Sequence, residues 1–293
     1  MLAIQEIDDT LMFDQMIDAL DEYTGYYESG WFAGLGYIYN NQTVSVNSIY
    51  EIYTSSPYWS PFPRSPMVMD FDHKGENYII INNHFKCCGD GDLDQWDSGD
   101  EETRRQIASN LLKEYIDAYL SDRNVIVLGD LNDDIADSYS NNVFNLIIND
   151  YENYLFTDME IAQGPSSGWS FPNWPSHLDH ILISNELFDE FYNQLSDIRT
   201  IKIDEYMSGG FSSYDYNISD HRPVALKLYT DSTSLEGDIN SDGQVDILDI
   251  IQLVSIILES SYYSVADINY DSVINVLDVI YLLDIILMSD QRQ

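Results

Sequence analysis

A chain of 293 residues is long enough for one large core or two smaller ones, and with 44% apolar residues and 23 tyrosines it is not a disordered polyanion. Fifty-one acids against 12 bases leave a formal charge of −39, of which residues 1–234 carry −29 and residues 235–293 carry −10. Such a surface repels nucleic acid at low salt. It serves simple solubility or a saline habitat, where a Debye length of about 3 Å near 1 M makes the repulsion local.

The predicted elements begin with a strand, Leu2 to Ile7, and a helix from Asp14 to Tyr23 with Met16, Ile17 and Leu20 at helical spacing. Gly34 to Tyr39 and Val44 to Tyr53 read as two strands joined around Asn40-Asn41 as a hairpin. Pro-rich Ser56 to Pro66 leads into a strand from Met67 to Phe71, and Tyr78 to His84 is a buried strand ending in polar groups. An acidic loop, Gly89 to Glu102, precedes a long amphipathic helix from Thr103 to Leu120. The strand Val125 to Leu128 follows, then a helix around Val143 to Ile148, an aromatic loop (Trp169, Phe171, Trp174), and strands at His180 to Ile183 and Val224 to Leu228. Strands with interspersed helices predict an α/β core. No apolar run spans a bilayer and no signal peptide is visible. The only cysteines, Cys87 and Cys88, are adjacent, which excludes a disulfide framework and leaves free thiols or a local bridge after His84.

Chemistry-bearing residues collect at strand ends: Gln5-Glu6, Asn83-His84, Asp130 with Asn132, Asp179-His180 and Asp220-His221. In extended chain Asp130 and Asn132 share one side. Taken singly these are turn residues and surface acids; taken together they are what metal-assisted phosphoester hydrolysis requires. A hard cation wants carboxylate oxygen, a base near neutrality suits histidine, and a neighbouring carboxylate fixes that histidine's tautomer.

After a short polar stretch, Thr230 to Leu235, the pattern changes. Asp238, Asn240, Asp242, Asp246 and Asp249 occupy positions 1, 3, 5, 9 and 12 of a loop with Gly243 at 6, which is the oxygen-ligand spacing of a Ca²⁺ loop. It recurs 29 residues on as Asp267, Asn269, Asp271, Asn275 and Asp278, and the two loops run into apolar helices, Ile247 to Leu258 and Val276 to Leu287. The pair resembles a type I dockerin, a small all-α module of two EF-hand-like loop-helix repeats. The resemblance implies two bound Ca²⁺, a cohesin-bearing scaffold as partner, and a partner-facing surface at Ile247-Leu248 and Val276-Leu277. A self-contained Ca²⁺-stabilised cap is the alternative. Ser272 replaces the glycine at position 6 of the second loop, where left-handed backbone costs roughly 1 kcal/mol, so the second site is expected to be the weaker.

The ordered set Gln-Glu, Asn-His, Gly-Asp-Leu-Asn, Leu-Asp-His-Ile and Ser-Asp-His resembles the endonuclease/exonuclease/phosphatase superfamily over residues 1–229. It implies a DNase I-like, four-layer α/β sandwich of two packed β-sheets flanked by helices. It makes Glu6 and Asp220 the acids of a Mg²⁺ (or Mn²⁺) site and His221 the general base oriented by Asp179. It also implies that His84 contacts the scissile phosphate and helps protonate the leaving oxygen, that Asp130 and Asn132 orient phosphate and nucleophile, and that Arg64 contacts phosphate. The family opens with a strand ending in asparagine upstream of the Gln-Glu strand, so Met1 reads as an internal start or the chain as a fragment, with a secretion signal further upstream. The expected organisation is a catalytic domain at 1–229, a linker at 230–235 and a dockerin at 236–293. The expected protein is a secreted, scaffold-tethered phosphodiesterase, foremost a nuclease. A phosphatase or phospholipase-type enzyme of the same fold, or a catalytically impaired interaction protein, are the alternatives.

Overall fold

The computed structural model describes residues 1–28, 34–230, 237–240, 244–259, 263–271 and 273–290. The chain forms two compact units, one of residues 1–187 with 198–226 and the other of residues 188–197 with 227–293. Among the described residues no helix is long and apolar enough to cross a membrane.

The first unit contains two sheets. Strands β1 (Leu2–Ile7), β2 (Tyr23–Glu28) and β3 (Gly34–Asn40) form one in the order β1-β3-β2. Strands β4 (Ser45–Glu51), β5 (Met67–His73), β6 (Glu76–His84), β7 (Asn124–Asp130), β8 (Tyr154–Phe156) and β9 (Asp179–Ser184) form the other in the order β4-β5-β6-β7-β9-β8. A short pair, β10 (Asp197–Thr200) and β11 (Val224–Lys227), completes the strands. β6 and β7 run parallel and bring His84 level with Asp130, whereas β7 and β9 run antiparallel and set Asp130 opposite Asp179. Three strands thus end their polar residues at one edge of the sheet.

The sheets are stitched by buried polar groups. Tyr37 Oη donates to Met67 O at 2.6 Å, and Asn82 Nδ2 donates to Ile4 O and Gly36 O, both at 3.0 Å. Helix α1 (Thr10–Asp18) packs its Phe13 edge-on to Tyr27 of the small sheet. Helix α2 (Glu101–Tyr119) lays Ala108, Leu112 and Ile116 on Ile79, Ile81, Val125 and Val127 of the large one. Helix, sheet, sheet and helix make the four layers expected. Shorter helices are α3 (Asn145–Ile148), α4 (Met159–Ala162), α5 (Phe188–Tyr192) and α6 (Gly210–Asn217).

Two expectations are corrected. The stretch Gly34 to Tyr53 is not a hairpin: β3 pairs with β1 and β2, and β4 belongs to the other sheet, paired with β5. Asn40 to Val44 is therefore a crossing between sheets. The first helix begins at Thr10, where the Asp9 side chain caps Met12 N at 3.0 Å, and ends at Asp18. Tyr23, placed in that helix by its apolar spacing, instead opens β2.

In the second unit α7 (Ile247–Glu259) and α8 (Val276–Asp290) enclose a small core of Ile239, Leu253, Ile256, Ala266, Ile268 and Leu282.

Gly129 shows how tightly β6 and β7 meet at the polar edge. Its φ is 130°, and an added Cβ would lie 2.0 Å from Asn83 O. Gly129→Ala is expected to cost about 1–3 kcal/mol in backbone strain alone, lowering the melting temperature by about 2–4 °C per kcal/mol. Thermal melting by circular dichroism checks this, and an unchanged midpoint would show that the strands part without cost.

Candidate active site

The polar edge gathers Glu6, Arg64, His84, Asp130, Asp179 and His221. His221 Nδ1 lies 2.7 Å from Asp179 Oδ2, so that nitrogen carries the proton and donates it, leaving Nε2 to face the site. Nε2 is 4.0 Å from Asp130 Oδ2, and His84 Nε2 is 3.6 Å from the same oxygen. Both separations exceed hydrogen-bond reach. The three polar atoms therefore border a common space. Glu6 Oε1 lies 3.8 Å from His84 Nε2 and 3.9 Å from Arg64 Nη2. Glu6 reaches this position from an irregularity in β1, at φ 61°.

Asp130 and Asn132 do not share a side by extended alternation. The chain turns left-handed at Asn132 (φ 54°), whose N–H donates to Asp130 Oδ1 at 3.0 Å while its Nδ2 donates to Phe85 O at 3.3 Å. One Asp130 oxygen is fixed and the other is left toward the histidines. Asp220 is exposed and adds to the negative field felt by His221.

The charges have readable causes. Burial alone would lower the His221 pKa, but the hydrogen bond and charge of Asp179, with Asp130 and Asp220, more than offset it and raise it to about 9. Asp130 is pushed up to about 7 by burial and by the like charge of Asp179. His84 is held down to about 3 by burial and the nearby cationic groups of Arg64 and His221. Its ring is therefore neutral, and with Nδ1 buried and unpartnered the single proton belongs on Nε2, facing the site. That N–H suits a contact to phosphate oxygen.

The donor set fits a hard divalent cation. Asp130, Asp179 and His221 present ligand atoms within 4.8 Å of one another, and the raised proton affinity of Asp130 is what a cation would relieve. Glu6 and Asp220, the acids carried over as metal ligands, are not in that trio.

The sequence reading missed the ring of buried groups behind these residues. Asp158 Oδ2 accepts from His177 Nε2 at 3.0 Å and His180 Nδ1 at 2.6 Å, while His180 Nε2 donates to Asp133 O at 2.8 Å. Both His180 nitrogens face acceptors, so the ring is an imidazolium; burial opposes the charge, but Asp158 raises its pKa. Asp133 in turn accepts from Arg105 Nε at 2.7 Å. The signal for Arg105 was present: it stands in helical register with Ala108, Leu112 and Ile116 on the buried face of α2. Asp158 carried no such mark. Phe171 lies against the His221 ring, centroids 4.7 Å apart, and Ser170 Oγ accepts from Leu178 N and Asp179 N at 3.2 Å, so the aromatic loop fixes both members of the dyad.

In the second unit Asp249 and Asp278 are fully buried. Asp249 accepts from Ile239 N, Asn240 N and Asp246 N at 2.8, 3.1 and 2.7 Å; Asp278 accepts from Asn269 N and Asn275 N at 3.3 and 2.8 Å. Asp238 and Asp267 are buried as well, while Asp271 Oδ1 and Asp246 Oδ1 cap Val273 N and Leu248 N. Asp242, Gly243, Ser272 and most of the stretch 230–235 lie outside the described residues. Ile247, Leu248, Val276 and Leu277 are exposed aliphatic side chains.

Two packed sheets, one antiparallel and one mixed, with acids and histidines at one polar edge define the DNase I-like hydrolase fold, followed by a loop-helix pair of the Ca²⁺-binding kind. The chain belongs to the Endonuclease/Exonuclease/phosphatase family, which it matches over residues 1–221, and residues 236–287 match the Dockerin type I domain. Among solved structures it is similar to D. rerio TDP2 complexed with single strand DNA product (TM-score 0.54, 12% identity, 78% of this chain and 85% of that one). It is also similar to a functionally unknown conserved protein from Enterococcus faecalis V583 (0.51, 16%, 78% and 84%) and to the human Nocturnin catalytic domain with bound sulfate anion (0.50, 13%, 77% and 80%). These identities speak for the fold alone. No curated protein matches the sequence.

Proposed function

We propose that the chain is a divalent-metal-dependent phosphodiesterase of the nuclease type, exported and held on a cohesin-bearing scaffold by a dockerin carrying two Ca²⁺. The observation that carries the catalytic part is the Asp179–His221 pair, 2.7 Å apart, with the free Nε2 facing Asp130 across an open space. Asp179 fixes the tautomer, so His221 Nε2 takes the proton from an attacking water. Asp130 Oδ2 orients that water, and His84 Nε2–H, Asn132 and Arg64 bind phosphate oxygens. Mg²⁺ or Mn²⁺ would neutralise phosphate charge; Asp130 and Glu6, whose charges act on one another, would hold it, which leaves His221 Nε2 free to serve as the base. The cohesin reading rests on the exposed aliphatic pairs of α7 and α8. Incubation of the purified chain with plasmid DNA in Mg²⁺, against EDTA and against a panel of phosphomonoesters and small diesters, tests the reading. Metal-independent or absent turnover on every substrate would remove it in favour of an impaired interaction protein.

One observation favours a phosphatase or phospholipase-type substrate with few phosphates. Arg64, Lys86, Arg105, Lys113, Arg123 and Arg222 each face an acid of the chain itself. A nucleic-acid surface with free cations weakens as salt rises. Here the rate on DNA is expected to hold or rise as salt screens the −39 charge, while a small diester responds little. A steep fall on DNA with salt would reveal a basic track and exclude the few-phosphate reading.

A further inference from the structure

Cys87 and Cys88 follow β6 immediately beyond the site, and both are exposed. Their sulfurs are 2.9 Å apart, with the Cys88 thiol donating to Cys87 Sγ. Lys86 Nζ lies 3.8 Å from the same Cys87 Sγ, 2.7 Å from Cys87 O and 3.6 Å from Glu101 Oε1. Two donors therefore aim at Cys87, while the hydrogen bond to Cys87 raises the Cys88 pKa and keeps its proton on.

The turn beneath the thiols is built. Arg105 Nη1 donates to Lys86 O and to Cys88 O, both at 2.8 Å, and Cys88 is held left-handed at φ 70°. The guanidinium is itself buried and locked by Glu102 at 3.0 Å and Asp133 at 2.7 Å. A backbone fixed in this way presents the second thiol to the first at high effective concentration.

We propose that Cys87 and Cys88 form a reversible dithiol–disulfide site that reacts with low-molecular-weight disulfides of the glutathione class. Cys87 as thiolate attacks one sulfur of the disulfide, forms a mixed disulfide and expels one small thiolate. Cys88 then gives up its proton and attacks the Cys87 sulfur, closing the ring and expelling the second. The protein loses two electrons and two protons, and the small disulfide becomes two thiols. Adjacent Cα atoms stand about 3.8 Å apart across a trans peptide, below the range of about 4.4–6.8 Å usual for a disulfide. The closed form is thus strained and readily reduced, which suits an exposed reversible site.

The test is intact-mass spectrometry of the full chain after exposure to excess glutathione disulfide and acid quench, a readout independent of hydrolysis. The mass is expected to fall by two hydrogens, with both alkylation sites lost and both restored by dithiothreitol. Cys88→Ser is expected to stop at one glutathione adduct on Cys87. Retention of both free thiols, two persistent glutathione adducts, or disulfide-linked dimers in place of the closed ring would each overturn the proposal.

Discussion

His221→Ala is expected to lower kcat by about 10²–10⁴-fold, the usual worth of a general base, with the melting temperature unchanged above about pH 9 and lowered below it, where the charged pair with Asp179 is lost. The ring is a quarter exposed in its side chain, so its removal leaves no large cavity. Asp179→Asn is expected to fall in the same range for another reason: the amide cannot hold Nδ1–H as a carboxylate does, so the reactive tautomer is lost. The pH profile separates the two roles. With His221 raised to about 9 by Asp179 in the metal-free site, the base form grows as pH rises toward that value, and activity rises with it. Asp179→Asn moves that rising limb to lower pH while depressing the plateau. Ring-carbon NMR of the metal-free protein reads the same shift without turnover. The pair also contributes stability that is complete below the unfolded histidine value of about 6.5 and is lost as pH rises through about 9. Near-normal turnover in His221→Ala would assign the base elsewhere.

The strands and the site differ in how well the sequence exposes them. β6 and β7 were legible because four apolar residues in a row, three of them β-branched, leave few alternatives, and the polar residues ending them are those that meet at the edge. The crossing from β3 to β4 was not legible. Asn40-Asn41 is good turn chemistry, but which sheet a strand joins depends on long-range pairing with β1 and β5 that local propensity does not encode. Tyr23 was misplaced since a half-exposed aromatic fits a helix face and a strand alike. At the site, His84, Asp130, Asp179 and His221 carried motif spacing and were found. Asp158 and His177 lie 19 residues apart and meet only through the fold. Asp158 caps Ile181 N and two imidazoles from a position that reads as an ordinary loop acid. Groups that position catalytic residues through backbone contacts leave no spacing rule, which is why the supporting ring was the illegible part.

Chelation of Ca²⁺ from the full chain is expected to unfold the helices α7 and α8 while leaving the sheets of the first unit intact. The core between these helices consists of six buried apolar side chains, the smallest an alanine. Against that core stand the buried carboxylates of Asp238, Asp249, Asp267 and Asp278, in a stretch of residues 235–293 that has 11 acids and one base. The backbone N–H groups on Asp249 and Asp278 orient those carboxylates but do not neutralise them. A divalent cation does both, and each site saturated a thousandfold over its Kd adds about 4 kcal/mol. Circular dichroism with EGTA should therefore lose a helical component that Ca²⁺ restores, while activity on a small phosphodiester in Mg²⁺ persists. Asp249→Ala should abolish the Ca²⁺-dependent gain, since it removes a cation ligand and leaves three amides without their acceptor. Asp238→Ala should weaken it more than Asp267→Ala, because glycine at position 6 makes the first loop the tighter site. A spectrum indifferent to EGTA would show that the two helices stand on packing alone and that the acid-rich loops serve something other than Ca²⁺.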